Sequence, residues 1–168
     1  MKKSVLFLFV FFLSFTLEAQ ITRTINGITL GKSSRQDVIS MLGRQGVNYR
    51  TENGGLGIAA YGSFVFGQTE WQRVCYNFYN NIVYQICYEK RGNASENSTI
   101  TLEYSAIREN LMRKYARYYS PLFPNDATFT DGRTNIHLGG GRPTIQQELY
   151  IWYTDAVLVK KHNEVFGF

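Results

Sequence analysis

The stretch Arg73–Lys90, RVCYNFYNNIVYQICYEK, sets two runs of aromatic and β-branched residues on either side of Asn80 and Asn81. Runs of this kind joined by a short polar turn predict a β-hairpin. The loop length decides which side chains share a face. A two-residue loop turns Cys75 and Cys87 to opposite faces. A three-residue loop collects Val74, Tyr76, Phe78, Tyr84, Ile86 and Tyr88 on one apolar face, and Cys75, Asn77, Tyr79, Val83, Gln85 and Cys87 on the other. Register follows the cleaner separation of apolar from polar residues, which favours the three-residue loop. Cys75 then lies directly opposite Cys87, where Cβ atoms stand ~4.5–5.5 Å apart and a disulfide needs only small adjustment.

A similar pattern recurs in LYIWYTDAVLVKK, Leu149–Lys161, and predicts a second hairpin. Shifted by 74 positions, Tyr76, Phe78, Tyr79 and Val83 fall on Tyr150, Trp152, Tyr153 and Val157. Each hairpin is preceded by a helical pattern. Ser33 with Gln36 reads as a capping box, Val38, Met41 and Leu42 share a face, and Gly43 stands where the helix should stop. Tyr104, Ile107, Leu111, Tyr115 and Tyr118 step by three or four and mark a second amphipathic helix ending before Pro121. The expectation is therefore an α+β protein of two tandem helix-plus-antiparallel-sheet units, with the helices packed on one face of the sheet. The first unit takes residues 20–92, residues 93–98 form a polar linker and the second unit takes residues 99–168, the two making one compact domain.

Residues 1–19 combine Lys2 and Lys3 with an apolar run from Val5 to Phe15, which predicts a secretory signal peptide cleaved near Ala19. The run is shorter than the ~20 residues a membrane-spanning helix needs, so an exported, periplasmic or extracellular protein without a transmembrane span is expected. The chain's formal net charge of +5 is spread along its length. Its densest basic cluster, Arg108, Arg113, Lys114 and Arg117, reads as a solvated helix face, not as a nucleic-acid surface. In an exported protein Cys75 and Cys87 are a disulfide candidate.

The chemistry-bearing motifs are weak. Gly27, Gly31, Lys32 and Ser33 imitate a phosphate-binding loop, but three residues separate the glycines where the cradle needs four. A cysteine nucleophile assisted by His137 or His162 is disfavoured because both cysteines lie in mid-strand, where nothing stabilises a thiolate. His137 and His162 are too far apart in the chain to suggest a metal site, and Asp126 and Asp131 lack the spacing of a calcium loop. No catalytic residue, cofactor or metal is expected.

The remaining signal is aromatic. Leu149, Ile151 and Tyr153 share one face of their strand, and Tyr150 and Trp152 share the other, so both faces need cover. Tyrosine and tryptophan supply rigid apolar area with a polar tip, as recognition surfaces require. Trp71, Tyr150 and Trp152 are accordingly the candidate binding residues, with the glycine-rich tips at 54–57 and 139–141 adjusting around a ligand.

GITLGKSSRQDVISMLG resembles the turn, first helix and terminal glycine of β-lactamase-inhibitor-protein-like domains and of related small outer-membrane assembly lipoproteins. ELYIWYTDAVLVKK resembles the last hairpin of the former. The resemblance implies tandem α/β units and a non-catalytic role in binding another protein. The second unit lacks the lead-in before its helix, and no lipid-attachment cysteine is present. Two other roles stay open: an envelope-assembly or scaffold component, and a carbohydrate-binding module or small hydrolase.

Overall fold

The computed structural model describes residues 20–93, 95–120, 126–140 and 147–166; the expected signal peptide and Gly141 lie outside them. A small ribbon, β1 (Thr24–Ile25) with β2 (Ile28–Thr29), precedes α1 (Arg35–Arg44). Four strands follow: β3 (Tyr49–Glu52), β4 (Gly57–Phe66), β5 (Thr69–Tyr79) and β6 (Ile82–Gly92). Then come α2 (Asn97–Tyr115), β7 (Tyr119–Ser120), β8 (Ala127–Thr130), β9 (Thr134–Gly140), β10 (Gln147–Asp155) and α3 (Ala156–Phe166). Eight strands form one antiparallel sheet in the order β3-β4-β5-β6-β10-β9-β8-β7.

The expected tandem of sheet units is corrected by this topology. β6 and β10 pair continuously from Gln147↔Gly92 to Thr154↔Gln85, so no sheet edge separates an earlier from a later unit. One hydrophobic core runs beneath the whole sheet, from Ile58 and Tyr76 to Phe129 and Ile136. The helices do not share a face either. α1 and α2 insert Val38, Leu42, Ile107 and Leu111 into that core, whereas α3 lies on the opposite side, its His162 ring 5.0 Å from Tyr84.

The central hairpin is also built differently from the expectation. Asn80 and Asn81 have φ of 47° and 67°, the left-handed pair that a two-residue hairpin turn requires. Tyr79↔Ile82 and Phe78↔Val83 pair first, and the register then shifts to Asn77↔Gln85 and Cys75↔Cys87. The extra residue is Tyr84, a β-bulge. Val83 therefore joins Phe78 in the core, and Tyr84 turns to the other side to meet α3. A tight asparagine turn and one bulge reproduce the pairing of a three-residue loop beyond the bulge.

The second predicted hairpin is a strand followed by a helix. Within that stretch Thr154-Asp155 ends β10 and starts α3: Asp155 Oδ1 accepts hydrogen bonds from the backbone N–H of Val157 (3.0 Å) and Leu158 (2.8 Å). An aspartate in that position satisfies the free donors of a first helical turn, which outweighs the β preference of the following valines. α1 is likewise capped one residue later than its sequence suggests. Ser34 Oγ accepts from Asp37 N–H (3.2 Å) while Ser34 N–H donates to Asp37 Oδ2 (2.7 Å), and the helix runs past Gly43 to Arg44, with Gln45 as its C-cap and the left-handed glycine at Gly46, whose φ is 66°.

Among the described residues no helix is long and apolar enough to cross a membrane.

Candidate functional site

Side chains alternate across each strand, so half of them point away from the core. On that outer face the register aligns three transverse rows. The middle row runs Ala59, Cys75, Cys87, Trp152, His137, Thr128. On one side lies Tyr61, Arg73, Glu89, Tyr150, Gly139. The row on the other side is Gly57, Asn77, Gln85, Thr154, Asn135, Thr130, polar throughout beyond its glycine.

Three aromatic rings gather where these rows cross β9 and β10. Tyr150 stacks on Trp152 with ring centroids 4.9 Å apart and planes 28° apart. His137 lies 5.7 Å from Tyr150 at 15° and 5.5 Å from Trp152 at 33°. The stack needs Gly139, because a Cβ there would run into the Tyr150 ring. His137 is held from both ends: Nε2 faces Asp126 Oδ2 at 3.3 Å, and Nδ1 lies 3.3 Å from Thr128 Oγ1. A carboxylate opposite Nε2 makes that nitrogen the donor.

Beside this stack a groove of about 540 Å³ opens between the sheet and α3. Its floor is Gln85, Thr154, Asn135 and Thr130, and Val159 of α3 lines it on the helix side. Trp152, 36% exposed, forms the wall together with His137, Asp126 and Thr128. Floor amides are oriented by their neighbours: Asn77 Nδ2 donates to Gln85 Oε1 (2.7 Å), which turns Gln85 Nε2 toward Thr154 Oγ1 (3.5 Å). A planar aromatic wall thus stands above oriented amides and hydroxyls, and the volume falls in the range of ~300–1,000 Å³ over which small-molecule pockets are found.

The expected site residues do not stay together. Tyr150 and Trp152 stand side by side on the outer face, but Trp71 is 1% exposed in the core, on the other side of the sheet, its Nε1 donating to Phe66 O at 3.0 Å. That corrects Trp71 as a surface anchor. The register with β4 shifts there, from Tyr61↔Arg73 to Phe64↔Trp71, and the Gln72 carboxamide bonds to Arg91, donating to its C=O and accepting from its N–H. Asp126, His137, Asn135 and Gln85 were not singled out as binding residues by sequence. The alternation of Asn135 and His137 with Ile136 and Leu138 in TNIHLGG was the available signal.

Cys75 and Cys87 are opposed as expected, and the structure holds them as free thiols in place of the expected disulfide. Burial pushes the Cys75 thiol up to about 12, partly offset by the Arg73 guanidinium. Burial and the neighbouring Glu89 carboxylate push Cys87 up further, and its Sγ–H donates to Glu89 Oε1 at 3.2 Å. Neither thiol offers a nucleophilic thiolate. Trp152 stands between Cys87 and His137 in the register, so no cysteine–histidine pair forms there. Among the described residues no group of three or more His, Cys, Asp or Glu side chains converges on a metal site.

Compared with protein-family models, with curated proteins and with solved structures, the chain matches none of them.

Proposed function

We propose that this chain is an exported, non-catalytic binding protein whose recognition site is the outer-face groove, with Trp152 as its anchor. The observation that carries this is the joint position of Trp152 and the polar row: a half-exposed indole on a rigid central strand, directly beside Gln85, Thr154 and Asn135. Large exposed aromatics set among oriented polar groups concentrate binding energy, since they desolvate at low entropic cost. Support for a binding role over catalysis comes from the unactivated thiols. Support for export is the charged, then apolar, start of the chain.

The test is a paired screen. Wild-type protein and Trp152→Ala, both verified as folded by circular dichroism, are applied to a glycan array and to a peptide array. Specific signals should disappear in the variant. A folded variant that keeps the wild-type signals would remove the groove from consideration.

A further inference from the structure

We infer that the groove takes a neutral carbohydrate, a pyranose ring laid against the Trp152 indole with its hydroxyls on the Gln85–Thr154–Asn135 floor. This rests on the groove being the recognition site.

The ligand class follows from what the walls and floor offer. Along β10, Trp152 has Tyr150 two residues before it and Thr154 two residues after it. Tyr150 stacks on one side of the indole, and the groove containing Thr154 lies on the other. An aromatic face carries negative quadrupole charge and attracts the polarised C–H groups of a sugar's apolar face. A flat aliphatic or aromatic ligand would also satisfy this wall, but it would strip water from the floor without replacing its hydrogen bonds, which leaves buried polar groups unpaired at a cost in affinity. The floor therefore selects for hydroxyls. Gln85 and Asn135 supply amide donors and acceptors, and Thr154 and Thr130 supply hydroxyls that can serve as either. Sites built this way reject analogues that lack the matching hydroxyl.

Charge narrows the class further. Among the described residues no lysine or arginine lines the groove, and its ionisable groups are Asp126 and His137, which face one another at 3.3 Å. A sulfated, phosphorylated or sialylated ligand would meet the Asp126 carboxylate with no lysine or arginine among the described lining residues to offset it. A protein segment would find apolar cover from Trp152 and Val159, yet it would leave a floor of side-chain amides and hydroxyls to be matched by backbone alone. The polar row favours the sugar, and a peptide becomes an outcome of the test.

The probes are cellotetraose, chitotetraose and maltotetraose, with a heparin-derived sulfated tetrasaccharide as the charged control, titrated against the full mature chain while tryptophan emission is followed. The chain has two tryptophans, and Trp71 is buried, so a saturable change reports Trp152. At least one neutral tetrasaccharide should give saturation, the sulfated one should not, Trp152→Phe should abolish the signal, and Asn135→Ala should weaken binding about tenfold, the equivalent of one hydrogen bond to an oriented group. If no neutral tetrasaccharide saturates while peptide-array binding is lost in Trp152→Ala, the carbohydrate assignment falls and the groove stands. If neutral sugar binds equally well to Trp152→Ala, both fall.

Discussion

Asp155 holds the start of α3 with one carboxylate oxygen and the Arg23 guanidinium with the other. Arg23 in turn donates to Arg133 C=O and Thr134 Oγ1, each at 3.0 Å, and to Leu30 C=O at 2.9 Å. One pair thus joins the N-terminal ribbon, the end of β10, the β8–β9 turn and the helix that walls the groove. With side chains 15% and 7% exposed, it is a buried ion pair.

Asp155→Ala should therefore destabilise the fold by about 3–5 kcal/mol, since it strands a buried guanidinium and removes a cap at once. Asp155→Asn retains capping ability and should cost less. Urea unfolding midpoints measure both. A loss below ~1 kcal/mol for the alanine variant would show that the pair contributes no more than a surface bridge.

Gly139→Ala should damage the site more than the fold. The added methyl displaces Tyr150 from its stack on Trp152 but lies on the outer face, away from the core. Tryptophan emission should shift while the unfolding midpoint changes little. Gly140→Ala provides the contrast: its φ is 100° and a Cβ would strike the Glu148 carbonyl. That variant should lose stability outright, and equal effects from the two would contradict the placement.

The cysteines should resist alkylation by iodoacetamide at about pH 8 in the native state, because both thiols stay protonated and buried. After denaturation two adducts should form. A native mass lower by two hydrogens, with no adducts after denaturation, would show a disulfide between the opposed residues.

Stability should fall as pH rises above about 9. Burial raises Cys75 from 9.0 to about 12 and also raises Tyr76, Tyr88 and Tyr153. Between the unfolded and folded values the unfolded chain releases protons that the folded chain retains, so the equilibrium shifts toward unfolding with increasing pH. Urea midpoints at about pH 8 and about pH 10.5 measure this, and an unchanged midpoint would contradict the burial of these groups.

What the sequence showed of this fold is confined to local pattern. Alternation placed Leu149, Ile151 and Tyr153 opposite Tyr150 and Trp152, and it opposed Cys75 with Cys87. Long-range pairing was not legible: nothing in Ile82–Gly92 or Gln147–Asp155 declares that they are neighbours across the centre of one sheet. α3 was misread because Val157, Leu158 and Val159 favour strands, while the aspartate before them decides in favour of a helix. Trp71 was misread because a strand irregularity at Gln72 rotates it inward. His137 and Asp126 stayed hidden because their partnership exists only once β8 and β9 pair.

The most direct test of the groove is a ¹⁵N-labelled spectrum of the chain during titration with the tetrasaccharide that binds best. The Trp152 indole N–H and the side-chain amides of Gln85 and Asn135 should shift together, and the Trp71 indole N–H, bonded to Phe66 in the core, should stay in place. Saturable binding that leaves those three groups unmoved, or that moves Trp71 alone, would contradict the assignment of the outer-face groove.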